Sequence, residues 1–341
     1  MAELSEALVQ YGWDTQWEAT LSDLDAVDQK VGRVTRVDRG EVDVATDAGF
    51  LRVLSDSQRA QADTAPATGD WIIIREDANL GPVVGQVMPR RTAITRRDPA
   101  EGVVQQVLVA NVDLVAVVHG LDHDIRPARI ERFMALAYDS GAKPIVLLTK
   151  DDLVDGTEAM TLVETFVDTD SVPILRTKAL EGGGIEELRT LIGNKTIVLL
   201  GLSGCGKSTL TNALLGDYVQ PTGAVREGDA RGRHTTTSRD LFLMPGGGVL
   251  IDTPGVRSIG LVDATAGVEA VFADILALGD GCRFNDCTHR HEPGCAIRTA
   301  IADGEISGER VDRYFALIDE QSELDDQREE FDRKKRRSGR R

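Results

Sequence analysis

Aromatic side chains are scarce in this 341-residue chain: Phe, Trp and Tyr together make up 4% of it, with only three tryptophans. The core must therefore be mainly aliphatic. Long apolar runs are missing as well. None reaches the ~18 residues of a membrane-spanning helix. The opening MAELSEALVQ has no basic stretch followed by an apolar one, so no signal peptide is expected and the expected location is the cytoplasm. Cysteine is limited to Cys205, Cys282, Cys287 and Cys295. Three of them fall close together and one stands alone, which argues against a disulfide framework and for a local metal cluster. Basic residues are outnumbered, 39 Lys and Arg against 56 Asp and Glu, for a net charge of −17. That balance argues against bulk electrostatic binding to nucleic acid. With 41% apolar and 28% charged residues, bulk disorder and a fibre are excluded.

Glycine is present in excess, 34 residues or about one in ten against a usual ~7%, which marks loops where backbone must approach something closely. At ~150 residues per domain, the length suggests two or three domains. The charge is unevenly spread. The tail Phe331–Arg341 (FDRKKRRSGRR) has seven basic residues and one acidic, a net +6, so the rest of the chain carries −23. Such a tail either binds polyanions by counterion release or is a solvated, disordered terminus.

Five regions precede that tail at 331–341. Residues 1–27 are polar and weakly patterned; Trp13 and Trp17, four apart, either anchor one helical face or lie in a loose arm. Over 28–90, the runs VGRVTRV, GEVDVAT, GFLRVLS, GDWIIIR and GPVVGQVMP are short and β-branched, with Gly, Asp or Asn between them. They predict a small barrel or sandwich, and their number and spacing suit an OB-type barrel. The arginine-rich stretch between Pro89 and Pro99 reads as a linker, set at 91–104. From 105 to 262 the period changes. Strands over Val112–Val118, Pro144–Leu148, Val172–Leu175 and Thr196–Leu200 alternate with helices over Pro127–Ser140, Thr157–Val167 and Ile185–Ile192. That alternation predicts an α/β domain, a parallel sheet with helices on both faces. A helix over Lys207–Leu215, a long loop over Asp217–Ser238 and strands over Asp240–Met244 and Gly248–Ile251 complete it. Residues 263–330 read as helical, with one helix over Ala264–Leu278, a Cys/His cluster, and a helix over Gly308–Asp319 whose Val311, Tyr314, Phe315 and Ile318 share a face.

After the strand Thr196–Leu200 comes Gly201-Leu202-Ser203-Gly204-Cys205-Gly206-Lys207-Ser208, followed by Thr209. This is the G-x-x-x-x-G-K-S phosphate loop in its required setting, strand before and helix after. Its amides and the helix N-terminus suit a nucleotide's phosphates. Lys207 is expected to reach the β- and γ-phosphates and Ser208 to ligate Mg²⁺. Cys205 fits as a small residue in a tight turn, with a redox role as the alternative.

Asp252-Thr253-Pro254-Gly255 follows the strand that ends at Ile251. An Asp there can hold the Mg²⁺ hydration shell, and the Gly255 amide can sense the γ-phosphate. Arg233-His234-Thr235-Thr236-Thr237 lies between the two motifs, where a switch loop is needed, and Thr235 is the candidate second Mg²⁺ ligand. D-T-P-G marks GTPases more than ATPases, yet no guanine reader follows it. Upstream, Thr149-Lys150-Asp151-Asp152 directly follows the strand Pro144–Leu148. Asp152 can accept from guanine N1–H and N2–H₂, a pair adenine lacks, and the Lys150 stem can cover the base. Arg176-Thr177-Lys178-Ala179 loosely matches a second base-contacting loop. The order is reader, base loop, phosphate loop, switch, D-T-P-G: every part once, but rotated, which fits circular permutation of a compact domain.

Cys282-x₄-Cys287-x-His289-x₅-Cys295 supplies three thiols and an imidazole at a spacing that suits a structural, tetrahedral Zn²⁺ with no open position. His291 is a competing ligand.

The permuted order, the N-terminal barrel, Ala110-Asn111-Val112-Asp113, Gly201–Ser208, Asp252–Gly255 and the Cys282/Cys287/His289/Cys295 spacing together resemble the RsgA (YjeQ) family of ribosome small-subunit-dependent GTPases, over roughly residues 30–320. The resemblance implies an OB-fold that contacts 16S rRNA, a permuted GTPase domain and a C-terminal helical domain with one Zn²⁺ per subunit. It also implies Mg²⁺-dependent hydrolysis of GTP to GDP and phosphate in late maturation of the 30S subunit, stimulated by that particle. A monomer without membrane association is expected. Cys205 departs from the family's usual Val. Val256 stands where Ras-like enzymes have a water-positioning Gln; His234 is the candidate replacement, and the resemblance points the same way. Arg226, Arg231 and Arg233 are possible charge stabilisers. Two rival functions are a nucleotide-gated RNA-binding module with negligible turnover of its own and a P-loop kinase, which would not need Asp152.

Overall fold

Short β-branched runs in the N-terminal third form Lys30–Val37 (β1), Glu41–Thr46 (β2), Gly49–Leu54 (β3), Trp71–Asp77 (β4) and Gly81–Val87 (β5) of the computed structural model. The structure describes residues 6–24, 26, 29–55, 64–97, 105–154, 156–216, 239–252 and 265–338. β1 pairs with both β2 and β4, β2 with β3, β3 with β5 in parallel, and β5 with β4. The sheet thus closes on itself as the expected OB-type barrel, which leaves few free edges. Its inside is filled by Val34, Val42, Val44, Val53, Ile72, Ile74 and Val84.

Two helices precede the barrel, Glu6–Val9 (α1) and Thr15–Asp23 (α2). The Asp14 carboxylate caps α2 by accepting from the Trp17 amide at 2.8 Å. Trp13 and Trp17 are not part of a loose arm, but only Trp17 lies on a helix, while Trp13 precedes the N-cap of α2; both are buried, with ring centroids 4.7 and 6.2 Å from Trp71 of β4. All three tryptophans of the chain therefore share one cluster. Beside it Arg33 of β1 is buried and donates to the carbonyls of Gly69 at 3.1 Å, Asn111 at 2.8 Å and Tyr11. One guanidinium thus joins barrel, N-terminal helices and the entry to the next domain. Burial lowers its pKa to about 10, so it stays cationic at neutral pH.

The stretch read as a linker contains a strand. Ala93–Arg97 (β6) pairs antiparallel with Gln105–Ala110 (β7). Its partner lies beyond residues that carry no strand pattern, so the local sequence did not reveal it.

Leu114–Gly120 (β8), Lys143–Thr149 (β9), Ile174–Thr177 (β10) and Thr196–Leu200 (β11) are parallel; Asp240–Leu243 (β12) is antiparallel to Val249–Asp252 (β13), which is parallel to β11. The order is β10-β9-β8-β11-β13-β12, and β12 continues into β1 of the barrel. Pro127–Asp139 (α3), Thr157–Glu164 (α4), Ile185–Ile192 (α5) and Lys207–Leu215 (α6) cover this sheet, with one aliphatic cluster on each face. The third strand starts at Ile174, not Val172, and α4 stops at Glu164, not Val167. Val167 and Val172 are buried loop residues instead, so apolar character there marks the core and not an element.

The C-terminal region is Thr265–Val271 (α7), Ala273–Gly279 (α8), Ala296–Ala302 (α9) and Gly308–Ser338 (α10). The single helix expected over Ala264–Leu278 breaks at Phe272 (φ −114°, ψ 33°). Gly267 of α7 packs so closely on α3 that a Cβ there would lie 2.0 Å from the Ala135 carbonyl oxygen. α10 runs well beyond Asp319, into the segment read as a basic tail. The disordered-terminus alternative is thereby corrected for residues 331–338, while 339–341 lie outside the described residues. A buried ion cluster fastens α10 to the α/β domain. Glu131 of α3, fully buried, accepts from Arg310 at 3.1 Å and from Arg313 at 2.7 and 3.0 Å. Arg310 also reaches Asp274 of α8 at 2.7 and 2.9 Å and the carbonyls of Phe166 and Val271.

Candidate active site and metal centre

Parallel strands present ligand-binding loops at their carboxyl ends, and β8, β9, β10, β11 and β13 all end on one side of the sheet. β11 runs into the glycine loop and α6 begins at Lys207. Gly204 and Gly206 have φ of +83° and +93°, a region that only glycine adopts freely. Gly201 is required by crowding: a Cβ there would lie 2.4 Å from the Val118 carbonyl oxygen. The N-terminus of α6 has no side-chain cap, which leaves its first amides for an anion. Lys207 Nζ donates to the carbonyls of Gly201 at 2.8 Å and Leu202 at 2.6 Å, so its ammonium sits over the loop. Ser208 is exposed in the first turn of α6 and Thr209 follows it half-buried. Cys205 is buried beneath the loop, its Sγ 3.6 Å from Lys207 Nζ.

The segment Thr149–Asp152, expected to read guanine, meets this loop directly. Thr149, buried at the end of β9, donates its hydroxyl to the Cys205 carbonyl at 2.6 Å, across 56 residues of sequence. Lys150 takes a left-handed conformation, φ +63°, and its Nζ is 2.6 Å from Asp122 Oδ2. That ammonium holds the Asp122 carboxyl below the usual carboxylate range. Asp122 escaped sequence reasoning; the one available signal was its position just after the carboxyl end of β8. Asp152 is exposed and lines a cleft of about 540 Å³ with Asp151, Arg176 and Lys178. The Asp151 amide donates to the Thr177 carbonyl at 3.3 Å and Arg176 lies 3.5 Å from the Asp151 carboxylate, so reader and base loop are joined. A second cleft, about 360 Å³, lies between the phosphate loop at Leu202, Ser203 and Cys205 and the end of β8 at His119. Burial pushes the His119 imidazole pKa down.

Asp252 closes β13, directly opposite Asp240 of β12. His234, Thr235 and Gly255 lie outside the described residues, as do Val256, Arg226, Arg231 and Arg233.

In the C-terminal region Cys282, Cys287, His289 and Cys295 bring their ligand atoms within 4.8 Å of one another. Cys282 Sγ is 3.3 Å from His289 Nδ1 and 3.9 Å from Cys295 Sγ, and Cys295 Sγ is 3.6 Å from the same nitrogen. A Zn²⁺ tetrahedron with ordinary bond lengths has edges of ~3.8 Å between sulfurs and ~3.5 Å between sulfur and nitrogen, so the four groups fit one metal ion. His289 reaches inward through a left-handed backbone, φ +63°. The competing His291 is exposed and is not part of the cluster.

Among the described residues, no helix is long and apolar enough to cross a membrane. The family described as RsgA GTPase matches residues 87–262, and that described as 50S ribosome-binding GTPase matches residues 196–340. The chain is 44% identical to the small ribosomal subunit biogenesis GTPase RsgA of Streptomyces avermitilis, over 94% of this chain and 87% of that one. It is 37% identical to the protein of the same name from Methanosarcina acetivorans, over 91% and 84%. The fold matches that of YjeQ from Thermotoga maritima with a TM-score of 0.63 and 28% identity, over 86% of this chain and 98% of that one. It also matches the fold of YloQ, a circularly permuted GTPase, with a TM-score of 0.63, 20% identity and coverage of 86% and 96%. With the rotated motifs meeting at one end of the sheet and relatives matching along nearly the whole chain, the protein belongs to the RsgA GTPase family.

Proposed function

We propose that this GTPase hydrolyses GTP to GDP and phosphate, with Mg²⁺, during late maturation of the small ribosomal subunit, and that the 30S particle stimulates its turnover. The observation that carries the reading is the Thr149–Cys205 hydrogen bond, which joins guanine reader and phosphate loop into one nucleotide site. A kinase would have no use for that junction; a GTPase needs it, because the same bond relates base to phosphates.

In this reading Asp152 selects guanine, with Thr149 and Lys150 shaping its loop, and Gly201–Thr209 hold the phosphates, with Lys207 as the cation. Ser208 and Thr235 bind Mg²⁺, Asp252 its hydration shell, and Gly255 senses the γ-phosphate. His234 positions the attacking water. The Cys282/Cys287/His289/Cys295 group holds one Zn²⁺ per subunit, which would supply folding stability and no reactive position. The barrel of region 28–90 contacts 16S rRNA. The protein works as a cytoplasmic monomer.

The test is GTP hydrolysis with purified 30S, 50S and 70S particles. Stimulation by 30S alone supports the proposal. Stimulation by 50S alone would assign the partner that the second matching family's description names, and tight GTP-dependent binding without turnover would favour the nucleotide-gated RNA-binding module.

A further inference from the structure

Lys150 is held in a backbone conformation that a side chain disfavours. Its φ is +63°, and in that region a β-carbon crowds the following carbonyl. A residue keeps such a backbone only where its surroundings fix it. Here part of the fixing comes from the neighbouring strand. β8 and β9 are parallel with Gly120 beside Thr149, so the chain leaves both strands side by side. The Leu121 amide donates to the Thr149 carbonyl at 2.9 Å. One residue further along each segment, Lys150 Nζ donates to Asp122 Oδ2 at 2.6 Å. Gly120 makes room for this meeting: a Cβ there would lie 2.6 Å from Asp122 Oδ1, 3.4 Å from the Cys205 Cα of the phosphate loop and 3.6 Å from Lys150 Cδ. Carboxylate, lysine stem and phosphate loop therefore converge on one point. Asp122 also lies 3.8 Å from Nε2 of the exposed His123, a longer contact.

Lys150 stands between Thr149, whose hydroxyl reaches the phosphate loop, and the pair Asp151 and Asp152, which line the neighbouring cleft. A lysine free to swing must be ordered when a base binds, at a cost in side-chain entropy; one already tied down has lost that freedom beforehand. We propose that Asp122 is a positioning residue for guanine-nucleotide binding, pinning the Lys150 side chain so that its stem is in place before the base arrives. This rests on the GTPase reading above. Asp122 touches no nucleotide in this role. It acts on affinity through Lys150 and leaves to Asp152 the discrimination of guanine N1–H and N2–H₂. The Asp122 and Lys150 side chains are 29% and 26% exposed, so the effect is that of a partly solvated pair, a few-fold in affinity.

The experiment uses the full chain as wild type, Asp122→Asn, Lys150→Met and the double variant. Asparagine keeps the shape of Asp122, and methionine keeps most of the lysine stem without its ammonium. Calorimetry gives the affinities for GDP and for inosine diphosphate, which retains N1–H and lacks the N2 amino group. Asp122→Asn should weaken GDP binding about two- to fivefold and inosine diphosphate binding by the same factor, so that their ratio is unchanged. In the Lys150→Met background the same substitution should weaken neither further, which is the mark of one residue acting through the other. Melting midpoints should stay within about 2 °C of wild type. Unchanged GDP affinity in Asp122→Asn, the same weakening with Lys150 already replaced, or Lys150→Met binding GDP as tightly as wild type would each overturn the proposal. So would a fall in the GDP-to-inosine diphosphate ratio or a larger drop in melting midpoint, since either would make Asp122 a structural support of the whole loop. Wild type that binds neither GDP nor GTP would instead overturn the nucleotide reading beneath it.

Discussion

Replacing Glu131 with glutamine should loosen the C-terminal region from the α/β domain far more than breaking any surface pair. The Glu131 carboxylate is fully buried and accepts three bonds from Arg310 and Arg313. Glutamine keeps the shape, removes the charge and turns one acceptor into a donor facing a guanidinium. Removing one partner of a buried ion pair costs about 3–5 kcal/mol, because the other charge stays desolvated. Arg310 keeps Asp274 and two carbonyls, which puts the cost near the lower end, about 3 kcal/mol. That corresponds to roughly a hundredfold in an opening equilibrium. Native-state hydrogen exchange of α3 and α10 amides reads this opening directly. Arg132→Ala is the control: its pair with Glu320 is about a third exposed on both sides and should cost under ~1 kcal/mol, or less than about fivefold. Exchange in Glu131→Gln within fivefold of wild type, or accelerated only in the barrel, would refute the reasoning.

Asp152→Asn should cost about 1.5–3 kcal/mol of GTP selectivity over ATP, since a charge-assisted acceptor pair becomes one acceptor and one donor; competition binding with both nucleotides checks it. Lys207→Ala should weaken GTP binding and hydrolysis together, because in the proposed role the ammonium would face the phosphates in ground and transition states alike; nucleotide titration and single-turnover hydrolysis check it. His234→Ala should keep GTP affinity but lower particle-stimulated kcat by roughly 10²-fold; undiminished single-turnover hydrolysis on 30S would leave the water-positioning group unassigned. Elemental analysis of reduced protein should find one zinc per chain, and Cys287→Ser should lose it and melt the C-terminal region while nucleotide affinity changes less than about twofold.

The site was legible where its chemistry is local. Gly201–Ser208 needs glycines at particular φ values within eight residues, and the four residues that could hold a metal ion fall within fourteen residues, whose spacing limits the geometry. Asp122 was not legible. Nothing in H-G-L-D distinguishes its carboxylate from any exposed acid until β8 and β9 are laid side by side and Lys150 reaches it. The extent of α10 was missed for a different reason. Its first turns follow an apolar face, but beyond Asp319 no apolar period remains, and a mainly charged sequence also suits a solvated tail.

What the sequence by itself determined is the family, through the motifs and their rotated order, because the phosphate loop, the T-K-x-D segment and the Cys/His cluster are short segments recognisable from residue types and spacings. The aliphatic alternation likewise indicated a small β-domain, barrel or sandwich, followed by a parallel sheet, and the β1–β4 and β3–β5 pairings closed the barrel. Only the tertiary structure decided how these units meet. Arg33 holds three carbonyls from three regions, Glu131 gathers two arginines that lie 179 and 182 residues away, and Lys150 meets Asp122 across 28 residues. Each is a charge or donor whose partner lies far along the chain. The cost of burying such a group is met only once the partner arrives, so its role depends on the packing of whole elements and leaves no mark in any local stretch of sequence.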